Sequence, residues 1–381
     1  MTGRRYDAVA GAILVLLAVA LTWAPWRSGP PQWKPDALFY QAQVEEVRGL
    51  DHASALRKVF DGPLAAPRRA SEAGLPAADR KLTSPEWVSY SSQFYRRRWT
   101  VPVAAAGLAP LIGQRALPSV SLSAYALAGL LVFLLLRLRF DRRISFAAAA
   151  LVLLLPAFRY WSAQPLSDSG GVAALTAAMI SAVLVLDRGR RWLALWFLAV
   201  VALAFTRDAT LIVVAATAWV ALRSRSSEAL WLVAVGLLAA VPPFLAFGAP
   251  LREALAYTLG GFRVPHDVSW SGIAADYPAA LKSLVRNDLD YLTAHPGTLA
   301  LVVLGVAGLV LGRMRNDSYV TLARATFVCA TGYVLLLPNY TAMRLELVFA
   351  PPLAVGLACL AAASAERLRR PEAVRANVNS S

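Results

Sequence analysis

Long apolar runs are the feature that most constrains what this chain can fold into. Apolar residues make up 58% of its 381 residues and charged residues only 16%, whereas a soluble domain normally carries about 25% charged residues. A run of about 20 apolar residues is long enough to cross the hydrocarbon core of a bilayer as a helix. Because backbone polar groups in lipid must bond to one another, such runs fold as helices. The sequence therefore predicts an all-α integral membrane protein.

The apolar runs predict about ten transmembrane helices. We place them at 8–26, 118–138, 144–162, 170–186, 191–206, 209–222, 228–247, 298–312, 319–337 and 346–364. The fifth and sixth are short, so 191–222 can also be one pair joined by a tight turn at Thr206–Asp208. The segment 101–113 is apolar but too short to span, and we expect it to be interfacial or re-entrant.

The first apolar run also resembles a signal peptide, because Arg4 and Arg5 precede it. However, the run is long, and Trp23 and Trp26 end it where a cleavage site would need small residues. We therefore expect an uncleaved membrane anchor.

Arginine placement predicts the orientation of the chain. With the N-terminus in the cytoplasm, the connections on that side hold Arg137, Arg139, Arg142, Arg143, Arg188, Arg190, Arg191, Arg223, Arg225, Arg313, Arg315, Arg367, Arg369 and Arg370. The short connections on the other side carry only Arg207 and Arg344. This bias follows the positive-inside rule. It predicts a multi-pass plasma-membrane protein with both termini cytoplasmic.

The same orientation divides the chain into parts. Residues 1–366 form the predicted transmembrane domain, and 367–381 form a cytoplasmic tail. The two long connections, 27–100 and 248–297, then both lie outside the cytoplasm, and long connections are often functional. The first of them is predicted to be helical.

Charge and metal-binding residue types exclude several classes of function. The net charge of +15 comes mostly from arginines that flank apolar runs, so we expect no nucleic-acid partner. The three histidines, His52, His266 and His295, have no metal-ligand spacing. We expect no metal site and no cofactor.

The segment PDALFYQAQVEEV, residues 35–47, follows the first predicted span closely. Its apolar residues Tyr40, Val44 and Val47 recur at helical spacing and predict an amphipathic helix lying on the membrane surface. Pro35 opens this helix, which puts Asp36 in its first turn. Asp36 is either a functional carboxylate or simply a residue that favours a helix start.

Three further segments place polar residues on the same side. FRYWSAQPLSDSGG, 158–171, contains Asp168, which could also cap the next helix. FTRDATL, 205–211, holds Arg207 and Asp208, which could pair with each other. Arg344 and Glu346 precede the last span in PNYTAMRLELVFAPP. Carboxylates can accept a proton or hold sugar hydroxyls, and a guanidinium matches a phosphate with two hydrogen bonds, so this set suits chemistry on a lipid phosphate.

The order of these motifs resembles bacterial GT-C glycosyltransferases that use polyprenyl-phosphate sugars, such as the mannosyl- and arabinosyltransferase-like proteins. The likeness runs through PDALFYQAQ, RRRWTVPVAAAGLAPLIG, LLLPAFRYWSAQPLSD, ALAFTRDATL and RLELVFAPPLAV, over roughly residues 5–365. It implies inverting transfer from a lipid-linked sugar donor to a glycan, lipid or protein acceptor outside the cytoplasm.

The resemblance also implies roles for individual residues. Asp36 would be the catalytic base, Asp168 would hold the acceptor or the base, and Arg207 and Arg344 would bind phosphate. Tyr40, Arg263 and His266, on the two long outer connections, complete the predicted substrate-binding set.

This chain departs from the family pattern in two places. Many relatives have two adjacent acids in the first outer connection, whereas Ala37 follows Asp36 here. Many also carry a soluble C-terminal domain, whereas only the short predicted tail follows the last span here. The alternatives are a transporter or flippase of lipid-linked sugars, which would favour ionisable residues at mid-membrane, and a non-enzymatic membrane protein.

Overall fold

The computed structural model describes residues 2–27, 33–76, 80–311, 317–338 and 343–378. The side chains of 2–5, 23–27 and 367–378 are outside this description. The predicted flanking residues that fall beyond it are Arg4, Arg5, Trp23, Trp26, Arg313, Arg315, Arg367, Arg369 and Arg370.

The described residues form eighteen α-helices and no β-strand, so the chain is all-helical. The first nine are α1 Thr2–Arg27, α2 Pro35–Val47, α3 His52–Phe60, α4 Ala66–Glu72, α5 Pro85–Ser92, α6 Thr100–Ile112, α7 Ala116–Arg137, α8 Arg142–Leu154 and α9 Pro156–Ser162. The others are α10 Asp168–Arg188, α11 Leu193–Ala204, α12 Thr210–Ser224, α13 Ser227–Phe247, α14 Leu251–Leu259, α15 Trp270–Ala294, α16 Pro296–Leu311, α17 Ser318–Leu336 and α18 Ala350–Val378.

Five helical segments in the described ranges are long and apolar enough to cross a membrane. They are Thr100–Arg137, Asp168–Arg188, Ser227–Phe247, Ser318–Leu336 and Leu345–Glu366. Two bent helix pairs, α8 with α9 and α15 with α16, raise the number to seven if each pair counts as one span. The chain is thus an all-helical protein with five to seven candidate transmembrane helices.

The structure is helical at every predicted span, but several of these helices are broken or short. Pro156 separates α8 from α9, and the two helices are bent by 64°, because proline lacks the N–H that would continue the helix. A bend of 109° separates α15 from α16 at His295. The helices α11 and α12 have only 12 and 15 residues, fewer than the roughly 20 that a span needs. Ten spans therefore remain a prediction.

Helix α2 differs from the amphipathic surface helix that the sequence suggests. All residues from Ala37 to Glu45 are buried, so the helix is covered on every side. Its polar residues are compatible with burial because they have partners. The Gln43 amide donates to the Tyr95 carbonyl at 2.7 Å, and Glu45 accepts from Lys58 at 2.8 Å. The apolar spacing indicates that one face of α2 is buried, but it contains no information about what covers the opposite face.

The two long connections pack against each other. The Trp87 indole donates to the Phe262 carbonyl at 2.7 Å, and Lys81 donates to the Gly261 carbonyl at 2.9 Å. The hydroxyls of Ser91 and Tyr257 are 2.8 Å apart. These contacts put parts of both connections at the same end of the bundle.

A group of charged side chains lies at the C-terminal end of α10. Arg139 binds Asp187 at 2.6 Å and Asp317 at 2.9 Å, and so joins the segment after α7 to α10 and α17. Helix α10 has 21 residues, which at 1.5 Å each separate its ends by about 30 Å. This length matches the hydrocarbon thickness of a bilayer. Asp168 lies at the opposite end of the same helix.

Candidate functional site

Asp168 opens α10 and is almost completely buried, with 1% of its surface exposed. Its carboxylate receives two hydrogen bonds from Arg344, from Nε at 2.9 Å and from Nη2 at 3.0 Å. Arg207 Nη1 donates to the same carboxylate. This two-point guanidinium contact is among the stronger hydrogen-bonded ion pairs. Asp168 therefore does not act as the side-chain cap that a helix-start role would require.

Arg344 joins Asp168 to Asp36. Its third guanidinium nitrogen, Nη1, donates to the Asp36 carboxylate, so all three nitrogens are engaged by the two acids. The two carboxylates therefore lie within hydrogen-bonding reach of one cation. Asp36, Asp168, Arg207 and Arg344 come from four separate segments, and we call them the Arg344 cluster.

The cluster shifts the pKa values of its extramembrane members. Burial alone would raise the pKa of the Asp36 carboxyl, but the Arg344 charge and a hydrogen bond from Tyr95 outweigh it, so the pKa is lowered. Burial would lower the pKa of Arg344, but Asp168 and Asp36 raise it well above its ordinary value. Both groups are thus held in their charged forms.

Arg207 and Asp208 do not pair with each other, which was the simple alternative for this turn. Arg207 points to Asp168, while Asp208 binds Arg97 and Arg98, with Arg98 Nη2 at 2.7 Å. The glycine at 171 makes room for the Arg207 side chain, because a Cβ there would lie 2.9 Å from Arg207 Cδ. The Gly-Gly pair in SDSGG therefore allows Arg207 to lie close against the first turn of α10.

Arg97, Arg98 and Asp208 form a second group, which we call the Asp208 cluster. It carries one more positive than negative charge, because two guanidiniums share one carboxylate. The buried Nε atoms of both arginines have no hydrogen-bond partner among the described residues. Burial, together with repulsion from Arg98, lowers the pKa of Arg97 to about 10. A buried donor without a partner is uncommon, and here two of them lie in a positively charged group.

Tyr40 connects the two clusters. Its hydroxyl accepts from Arg98 Nη1 at 3.1 Å and lies 2.7 Å from the Ser167 hydroxyl, next to Asp168 in the chain. The Tyr40 side chain is completely buried. Tyr40 is one of the predicted site residues, but no pattern in the sequence indicated its contacts with Ser167 and with the Tyr95 ring, whose centre lies 5.6 Å from that of Tyr40.

Aromatic rings lie on one side of Arg344. The Arg344 guanidinium lies 5.0 Å from the centre of the Trp161 ring, and Lys34 lies 5.5 Å from the Tyr160 ring. Tyr160 is 44% exposed. Cation–π contacts of this kind strengthen where water is excluded. The FRYW motif, read from the sequence only as part of a turn, supplies both rings.

Arg263 and His266 lie elsewhere, on the segment between α14 and α15. Both side chains are exposed. Burial, together with repulsion from the nearby Arg263 charge, lowers the pKa of Lys81. The structure therefore brings five of the seven predicted site residues together, directly or through Ser167, and places Arg263 and His266 at the surface.

No protein-family model and no curated protein matches the chain. A functional conclusion therefore depends on the contacts of the residues in the two clusters. They provide two carboxylates that share one guanidinium, and a neighbouring group with excess positive charge.

Proposed function

We propose that the chain is a membrane glycosyltransferase of the GT-C type. It moves a sugar from a polyprenyl-phosphate donor to an acceptor hydroxyl at the extracytoplasmic face, with inversion at the anomeric carbon. The observation that carries this proposal is the meeting of Asp36, Asp168, Arg207 and Arg344 in one cluster at one end of α10. These are the residues to which the resemblance assigns the base and the phosphate ligands.

The reaction needs a base on one side of the anomeric carbon and a cation on the other. Asp36 takes the proton from the acceptor hydroxyl, and the acceptor oxygen forms a bond to the anomeric carbon. The bond between that carbon and the phosphate oxygen breaks, and the polyprenyl phosphate leaves with the electron pair. Its negative charge increases by one in this step, so fixed guanidinium groups stabilise the transition state more than the donor.

Arg344 connects the base to the phosphate-binding cation, because it contacts Asp36 and can also bind the donor phosphate. It donates to Asp36, and the lowered pKa makes Asp36 a weak base. A donor phosphate competes with Asp36 for Arg344. When the phosphate takes Nη1, the Asp36 carboxylate loses a partner and becomes more basic. Donor binding thereby prepares the base.

The Asp208 cluster is a second binding site for the donor phosphate in this proposal. Its excess positive charge and the two unpartnered Nε donors of Arg97 and Arg98 suit an anion. A phosphate oxygen satisfies such donors with short, charge-assisted hydrogen bonds. Tyr40 lies between this group and Asp168, where its buried hydroxyl holds Arg98 and Ser167 in position beside the site.

The direct test is turnover by Asp36→Asn. The amide keeps the shape of the side chain but cannot accept the proton, so we expect a loss of about 10²-fold or more in turnover. Donor binding should persist. Wild-type protein in lipid nanodiscs is first screened with polyprenyl-phosphate sugars to find an active donor.

Asp51→Asn is the matched control. Asp51 caps α3 in the same connection by accepting from the Ser54 amide at 3.0 Å, and asparagine caps helices equally well. This variant should keep full turnover. Undiminished turnover by Asp36→Asn, with an active wild type, would remove Asp36 as the base. Glu45 and Glu46 would be weaker candidates, because Lys58 and His52 already occupy them.

A further inference from the structure

Glu346 is a buried carboxyl that the proposed reaction does not use. It lies in the short 3₁₀ turn Leu345–Phe349, two residues after Arg344, and only 7% of its surface is exposed. Both of its side-chain oxygens are buried without a hydrogen-bond donor among the described residues. An ionised carboxylate in such a place lacks both water and donors, which is costly.

The neighbour of Glu346 is a second acid. Asp288 of α15 lies beside Glu346, close enough for the two carboxylates to repel each other. Asp288 Oδ1 is also buried without a hydrogen-bond donor among the described residues. Two ionised carboxylates can only accept hydrogen bonds, so these two acids can bond to each other only when one of them carries a proton.

The surrounding charges do not remove this need for a proton. The 3₁₀ turn packs against α10, α17 and α18, and the charged groups near it are Arg207, Asp168 and Arg344. Arg207 attracts Glu346 but donates to Asp168. Arg344 uses all three nitrogens on Asp168 and Asp36. Tyr333 of α17 is a nearly buried neutral group.

We propose that Asp288 and Glu346 form a proton-binding site, in which one proton is shared between the two carboxyls and joins α15 to the segment that carries Arg344. Paired carboxyls that share a proton are a known arrangement where two acids cannot both ionise. Loss of the proton leaves two adjacent negative charges, and their repulsion separates α15 from the turn beside Arg344. The site is therefore a pH-sensitive contact next to the Arg344 cluster.

A proton fits this site better than a divalent cation. Calcium and magnesium require six or more oxygen ligands, and the two carboxyls supply at most four. The burial of Glu346 leaves little space for the missing water ligands. Arg207 also places a positive charge nearby, which repels a cation.

The test is infrared spectroscopy of the full-length protein in nanodiscs over a range of pH. A protonated carboxyl has a C=O stretch that is absent from a carboxylate. We expect one such band in the wild type at neutral pH and its loss at high pH. Glu346→Gln and Asp288→Asn should both lose this band, because each amide supplies a donor and removes the need for the proton. Asp290→Asn is the control on the same helix, because Asp290 is 71% exposed, and it should keep the band.

The melting temperature provides a second readout. Raising the pH should lower the Tm of the wild type but leave that of Glu346→Gln flat between the same pH values. A band that is absent from the wild type at neutral pH, or that survives in both variants, overturns the proposal. A saturable rise in Tm with Mg²⁺ or Ca²⁺ that both variants abolish would also overturn it, in favour of a cation site. None of these measurements needs a sugar donor, so they are independent of the proposed transferase activity.

Discussion

Removing the Arg344 guanidinium tests whether the cluster holds the bundle together. In Arg344→Gln, Asp168 loses two hydrogen bonds of 2.9 and 3.0 Å and keeps its contact with Arg207. Asp36 loses its bond from Nη1. Asp168 is 1% exposed, so water cannot replace the missing donors.

The expected cost follows from this burial. Removing one partner of a buried ion pair typically costs about 3–5 kcal/mol, because the other charge remains buried. At roughly 2 °C per kcal/mol for a long chain, the Tm should fall by about 6–10 °C. Arg159→Gln is the control, because Arg159 is an exposed arginine on α9, and it should change stability by less than about 0.5 kcal/mol.

A double-mutant cycle with Asp168→Asn separates the interaction energy between Arg344 and Asp168 from the other effects of each substitution. Thermal unfolding in the same detergent is measured for the wild type, both single variants and the double variant. Because the two side chains are in contact, the double variant should lose about 1–3 kcal/mol less than the sum of the single losses. Losses that add within about 0.5 kcal/mol, or an Arg344→Gln variant as stable as the control, would refute this reasoning.

Three further predictions concern acid stability, the Asp208 cluster and topology. The pKa of Asp36 is lowered in the folded protein, so its stabilising contribution is present above about pH 4 and is lost as the pH falls further, and the Tm advantage of the wild type over Asp36→Asn should shrink below that pH. Asp208→Asn leaves two guanidiniums without their carboxylate and should cost about 2 kcal/mol, less than a fully buried pair because the Asp208 side chain is 37% exposed, whereas Asp61→Asn, which breaks an exposed pair of 3.4 Å, should cost less than about 1 kcal/mol by the same unfolding assay. Cysteines introduced at the exposed Ser71 and Ser271 should react with an impermeant thiol reagent in intact cells, and labelling only after permeabilisation would reverse the predicted orientation.

The sequence predicts the helical membrane class because long apolar runs leave few other solutions. It also predicts which polar residues share one end of the bundle, because arginine bias sets the direction of every span. Asp36 and Arg344 are 308 positions apart in the chain, yet this reasoning placed both on one side. The contact between them follows from helix packing, which no local pattern contains.

Other features depended on tertiary neighbours and could not be predicted. The turn FTRDATL left open whether Arg207 and Asp208 pair with each other, and only the approach of α10 and of the RRRW segment decides it. The burial of α2 depends on α3 and α6, which cover the face that its spacing left undefined. The break at Pro156 was readable in principle, since proline interrupts helices, but the apolar run continues across it.

The separation of the cluster residues along the chain governs how the protein is made. Synthesis proceeds from the N-terminus. Arg207 is therefore added 39 residues after Asp168, and Arg344 is added 176 residues after it. A buried acid without its cation is expensive in a membrane. The apolar helices can therefore enter the bilayer early, but this end of the bundle closes only when Arg344 and the candidate span Leu345–Glu366 arrive. A nascent chain interrupted before that point lacks Arg344, so Asp36 and Asp168 are both without the guanidinium that they share in the finished protein.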